Sequence, residues 1–202
     1  MAWDTLADDS IIEKTAEALK KRGIEVFVVS NGEEAKKKVL ELIPEGSTVM
    51  EASSTTMNEI GITQEIEESG KYDSVRKKLH GITDAEERNR MRRQFLSAPY
   101  AIGSVQAVTE DGKLVVASAS GSQISFYAFD SQNVILAVST MKIVKDLDAA
   151  FKRIHERALP LENKRVHDQY GWNGSYIGKL MVLERDRPGR TRVIFVKEQL
   201  GF

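Results

Sequence analysis

SIIEKTAEALKKRGIEVFVVSNGEEAKKKVLELIPEGSTVM, residues 10–50, switches repeatedly between helical and extended periodicity. Ser10 with Glu13 three positions on forms a capping box. The amphipathic run from Ile11 to Arg22 follows and stops at Gly23, a residue suited to helix termination. Ile24 to Val29 is short, β-branched and aromatic, which reads as a buried strand. Asn31 opens a second helix with Glu34 three residues later; Ala35, Val39, Leu42 and Ile43 share one face, and Pro44 and Gly46 end it. Ser47 to Met50 is a second strand. Helix, strand, helix, strand at this spacing is the pattern of a parallel sheet with crossover helices.

The rest of the chain extends that frame. Glu51 to Gly61 reads as a polar loop and a short helix, and Thr83-Asp-Ala-Glu86 as a capping box opening a charged helix to about Ser97. Val105–Val108 and Leu114–Ala117 flank an Asp111-Gly112 turn, which predicts a hairpin over residues 105–117. Gly121 to Phe129 reads as helical, Val134 to Val138 as a buried strand, and Asp146 to Leu159 as a helix stopped by Pro160. Periodicity fades from Leu161 to Arg190, where Gly171, Gly174, Gly178 and Gly189 alternate with Tyr170, Trp172 and Tyr176; Leu180–Leu183 is a strand candidate within it. Aromatic residues argue against simple disorder there. Arg192 to Val196 is the last strand. The expectation is one α/β domain over residues 1–202 with an open, mostly parallel sheet flanked by helices.

Composition removes several function classes. The formal net charge is −1, so there is no basic surplus for nucleic acid. Arg88, Arg90, Arg92 and Arg93 come closest to a basic stripe, but Asp84 and Glu86 precede Arg88 and Arg90 by four residues, as in helix-surface pairs. The chain has no cysteine, which excludes thiolate catalysis, disulfides and cysteine-held zinc or iron–sulfur clusters within it. His80, His155 and His167 lack metal-ligand spacing, so no metal and no cofactor is expected. The acidic N-terminal stretch carries no apolar signal region and no run reaches membrane-spanning length, which points to a cytosolic protein.

The strongest local feature is Glu51-Ala-Ser-Ser-Thr-Thr-Met-Asn-Glu-Ile-Gly61. A strand ends, the hydroxyls of Ser53, Ser54, Thr55 and Thr56 follow, and a helix begins. Free N–H groups at a helix start, with hydroxyls beside them, suit a phosphate or carboxylate, and open α/β sheets place ligands at the carboxyl ends of strands. Thr56-Met-Asn-Glu59 is equally a capping box, which needs no ligand. At the hairpin tip, Glu110 or Asp111 is a candidate nucleophile or general base, with Gly112 beside them; a solvated turn is the alternative. Gly121, Ser122 and Gln123 offer a second helix start. Lys142, with Lys145, follows the Val134–Val138 strand and would add a point charge for an anion.

Taken together these segments resemble the LUD-domain family of lactate-utilisation proteins. Ser53-Ser-Thr-Thr-Met-Asn-Glu-Ile-Gly61 is similar to the family's Gly/Ser-Ser-x-Thr-x-x-Glu-Ile-Gly loop. Ala107-Val-Thr-Glu-Asp-Gly-Lys-Leu-Val115 with Gly121-Ser-Gln123 resembles its Thr-Glu-Asp-Gly and Gly-Asn-Arg pair, and Lys142-Ile-Val-Lys-Asp-Leu-Asp-Ala-Ala150 with Arg153-Ile154 resembles its Lys-Ile-Val helix; the ending Leu200-Gly-Phe202 also fits. The match runs from about residue 10 to the end. It implies the sugar-phosphate isomerase/CoA-transferase fold and a role in lactate oxidation beside iron–sulfur partner proteins. Three departures stand out: the segment Leu161–Arg190 lacks the cysteine cluster of many relatives, Met141 replaces an asparagine, and Gln123 replaces the arginine of Gly-Asn-Arg.

Three functions follow as expectations. The first is a protein of lactate or hydroxy-acid utilisation that binds a small anionic metabolite through Ser53–Thr56 and Lys142. The second is an acyl-CoA or sugar-phosphate converting enzyme, in which Glu110 would take the thioester-forming role implied by the CoA-transferase resemblance. The third is a non-catalytic assembly subunit that docks through Gln169–Tyr176. Homo-oligomerisation is left open.

Overall fold

The computed structural model describes residues 3–95 and 97–202. Its main sheet has six strands: β1 (Glu25–Val29), β2 (Thr48–Glu51), β3 (Asp73–Ser74), β4 (Tyr100–Gly103), β7 (Asn133–Ser139) and β10 (Thr191–Val196). They lie in the order β1-β10-β7-β4-β2-β3, and every pairing is parallel. A second sheet, β8-β5-β6-β9, holds the expected hairpin: β5 (Ala107–Thr109) and β6 (Leu114–Ser118) pair antiparallel, with β8 (Ile143–Val144) and β9 (Lys179–Leu183) outside them.

Burial follows from this layering. On one face of the main sheet, Ala35 and Val39 of α2 (Gly32–Glu41), Met57 of α3 (Thr55–Glu59) and Ile62 and Ile66 of α4 (Ile62–Glu68) pack on Ile102, Ile135, Ile194 and Val196. On the other, Ile12, Ala16 and Leu19 of α1 (Asp9–Lys21), Val75 and Leu79 of α5 (Val75–His80) and Val108, Leu114 and Val116 of the second sheet cover Leu136, Val193 and Phe195. A sheet buried on both faces has no polar side to expose, which is why its strands read as continuous apolar runs. Ala150 of α8 (Leu147–Arg153) and Ile154 pack on the far side of the second sheet, against Ala107 and Val115. No helix among the described residues is long and apolar enough to cross a membrane.

Local signals hold with four corrections. Asn31 accepts from the Glu34 amide at 3.0 Å and Glu34 accepts from the Ser30 amide at 2.8 Å, so the cap of α2 forms as read. The first helix, however, starts at Asp9, and Ser10 lies inside it. Asp84, one residue beyond Thr83, caps α6 (Ala85–Phe95) by accepting from Glu87 N at 2.7 Å. Gly121–Phe129 is helical, but only Ser122–Ser125 (α7) is α; Phe126–Asp130 widens to a π turn. Pro160 does not stop its helix. A second π turn over Ile154–Ala158 shifts the hydrogen-bond ladder first, and the proline falls in the opening turn of α9 (Leu159–Tyr170), where a missing N–H is harmless. The stretch read as irregular therefore holds most of α9 and all of β9.

Candidate ligand-binding site

After β2 the chain turns through α3 and α4 toward β3. After β4, the strand beside β2, it turns to the opposite face through the second sheet and α7 before reaching β7. Adjacent strands whose continuations diverge leave a crevice at their carboxyl ends. A cavity of about 720 Å³ lies there, with Glu51 to Thr56, Ser104 and Lys142 in its wall.

The hydroxyl loop divides its labour. Ser54, not Thr56, caps α3, its Oγ accepting from the Met57 amide at 3.3 Å. Thr56 thus sits in the first turn, buried, with its hydroxyl turned to Lys142, whose Nζ donates to Thr56 Oγ1 at 3.0 Å and Ser104 Oγ at 3.2 Å. Lys142 ends a tight turn that Ser139 caps as β7 finishes. It is 3 % exposed, and no carboxylate pairs with it among the described residues. Burial, and then the nearby Arg153, bring its ammonium down to about 7. α3 spans only 5 residues, so the positive character of this end comes from Lys142 rather than from a helix dipole. Gly201 closes over the pair at φ +66: a Cβ there would stand 2.2 Å from Thr56 Oγ1.

Glu51, read only as the start of the loop, is the missed residue. It is 6 % exposed, lines the cavity, and is held by the Ser74 hydroxyl and by the Arg76 amide at 3.1 Å. Burial raises its carboxyl to about 7 against those hydrogen bonds. The signal in the sequence was a lone acid closing an apolar strand. Arg88 and Arg92, expected on a solvated face, also line the cavity, whereas Arg90 faces Glu87 at 3.8 Å. Asp84 is engaged as a cap and leaves Arg88 to bond the Ile82 carbonyl at 3.1 Å.

Ser122 and Gln123 reach the cavity wall, and Gly121 supplies the left-handed turn, φ +87, that starts their helix. Gln123 Nε2 donates to the Ser104 carbonyl at 3.3 Å, and the buried Tyr127 hydroxyl donates to the same oxygen at 3.4 Å. These bonds fix the loop that presents Ser104. Gly103 makes it possible: a Cβ there would lie 1.7 Å from the Tyr127 hydroxyl. Arg153, fully buried, donates to the Gln106 carbonyl at 2.5 Å, while its Nε and one terminal nitrogen have no partner among the described residues.

Glu110 and Gly112 are not brought to this place. Glu110 accepts from Lys14 Nζ at 2.7 Å, and Gly112 packs against the backbone of Ala18 and Leu19, so the hairpin tip is docked on α1. Lys145 is exposed. Tyr170, Trp172 and Tyr176 form another part of the cavity wall, beside the Glu162–Arg165 pair.

The LUD domain model matches residues 12–196. Among solved structures, a DUF162 family protein from Deinococcus radiodurans shares 12 % identity and superposes with a TM-score of 0.58, covering 95 % of this chain and 99 % of that one. That likeness is one of fold. No curated protein matches the chain in sequence.

Proposed function

Since this chain belongs to the LUD-domain family, we propose that it serves lactate or related hydroxy-acid utilisation by binding a small anionic metabolite in the cavity at the ends of β2, β4 and β7. The observation that carries this reading is Lys142, a buried amine whose partners are two hydroxyls. Hydroxyls orient an ammonium but do not neutralise it, and the Glu59 carboxylate acts on it only from beyond contact distance; a bound carboxylate or phosphate would pair with it directly. Thr56 and Ser104 then complete the anion's surroundings, with Ser53 and Thr55 at the edge. With no cysteine in the chain, iron–sulfur chemistry in such a pathway resides in partner proteins. Calorimetry with lactate, pyruvate and sugar phosphates tests the reading, using Lys142→Met and the isosteric Thr56→Val. Loss of the binding heat in Lys142→Met is the expected result; unchanged binding in both variants leaves the loop a structural cap.

One observation favours a second reading, conversion of a bound sugar phosphate or acyl-CoA. Glu51 shares the cavity with Lys142, and both groups change charge near pH 7. A carboxylate and an amine so tuned are suited to moving a proton on and off a substrate. The acid in this reading is Glu51, since Glu110 is tied to Lys14. Glu51→Gln would then abolish turnover while leaving ligand affinity within a few-fold.

A further inference from the structure

The cavity is larger and more cationic than a three-carbon acid requires. Its volume of about 720 Å³ falls within the roughly 300–1,000 Å³ typical of sites for drug-sized ligands. Five cationic side chains line it besides His80: Arg76, Arg88, Arg92, Lys142 and Arg165. Arg76 pairs with Glu67 and Arg165 with Glu162. Lys142, Arg88 and Arg92 form no ion pair among the described residues. A monocarboxylate neutralises one of these charges; a diphosphate is matched to all of them, and guanidinium groups bind phosphate oxygens with two parallel bonds.

The other wall is aromatic. Tyr170 and Trp172 stack with ring centres 4.8 Å apart, and Arg165 lies over the Tyr170 ring. Trp172 is 59 % exposed and Tyr176 66 %, although both face the cavity. Their helix and loop are not loosely attached: the Asn163 side chain accepts from the Ser175 amide at 2.7 Å and pins the segment to α9. Open indole and phenol faces on an anchored loop are platforms for a planar ring, and every nucleobase offers one.

We propose that the ligand of this cavity is a nucleotide, its phosphates among Lys142, Arg88 and Arg92 and its base against Trp172. This rests on the anion reading above and adds a ring to it. The chain has two tryptophans, so Trp3→Phe leaves Trp172 as a fluorescent reporter. Titration of that variant with adenosine diphosphate, pyrophosphate, ribose 5-phosphate and lactate, with calorimetry of the native chain in parallel, gives the test. The expected result is quenching of Trp172 by the nucleotide and an affinity about tenfold or more above that of pyrophosphate, the scale of base–aromatic stacking. Trp172→Ala should bring the nucleotide down to the level of pyrophosphate and leave pyrophosphate itself unchanged; Lys142→Met should weaken both. A nucleotide that binds no better than pyrophosphate or ribose 5-phosphate overturns the proposal and leaves the anion reading standing. Failure of every anion to bind overturns both.

Discussion

Lys142 is the residue on which the proposed anion site turns. Anion binding favours its charged form, so affinity should fall as pH rises above about 7, where the free amine has lost its proton. The ratio of the pyrophosphate Kd of Lys142→Met to that of the native chain, in which the ligand's own titration cancels, should fall several-fold between pH 6 and 9; a ratio constant with pH would show that Lys142 does not meet the anion. Gly103 makes a second prediction of a different kind. An added methyl meets the Tyr127 hydroxyl at 1.7 Å and Ala52 Cβ at 2.8 Å. Gly103→Ala should therefore destabilise by ~1–3 kcal/mol, the usual scale of overpacking. Tyr127→Phe in the same chain should recover part of that loss in denaturant unfolding; no recovery would locate the strain elsewhere. The role of Gly103 was not legible in the sequence; Lys142 was read there as a charge for an anion, but its hydroxyl partners were not. Lys142 and Thr56 are separated by 86 positions, and only the neighbouring of β2, β4 and β7 joins them.

Elements were more legible than contacts. The caps at Asn31 and Asp146 and the turn at Asp111-Gly112 act within four residues, so local chemistry reveals them. Pro160 misled because the π turn before it cannot be read from apolar spacing; an extra residue per turn resets the period that such a reading relies on. Both π turns border the site, contributing Phe126, Ile154 and Ala158 to the cavity wall. The one over Phe126–Asp130 is closed by Arg190, which donates to the carbonyls of Tyr127, Phe126 and Ser131 and pairs with Asp186 at 2.8 Å, all within the interior. Arg190→Met would remove the guanidinium from the Tyr127 and Ser131 carbonyls and take its charge from Asp186, which keeps only the Thr191 hydroxyl and the Arg187 amide as donors. A loss of ~3 kcal/mol or more, roughly 6–12 °C in Tm, is expected by thermal unfolding; a change under ~1 kcal/mol would mean that water replaces the guanidinium without penalty.

At the scale of the whole molecule, two opposed titrations shape stability. Glu51 binds its proton up to about pH 7 when folded but only to about 4.5 when unfolded, so stability falls as pH rises through that window. Lys142 holds its proton to about 10.5 unfolded and only to about 7 folded, so stability rises again from pH 7 toward 10.5. The two contributions together give a minimum near pH 7, where both are at their least favourable. Urea midpoints across pH 5–10 should show that dip, with Glu51→Gln flattening its acid side and Lys142→Met its alkaline side; parallel curves for all three chains would remove both groups from the account. The same molecule carries a timing constraint. β10 lies between β1 and β7, and Val26 pairs with Val193 across most of the chain. A ribosome must therefore release residues 191–196 before the first strand acquires a neighbour, and until then β1 and β7 present unsatisfied edges to the cell. Such non-local closure is slow and exposes the nascent chain to aggregation. Synthesis of this protein thus has a vulnerable interval whose minimum length is set by translation speed rather than by the strength of any contact in the finished fold.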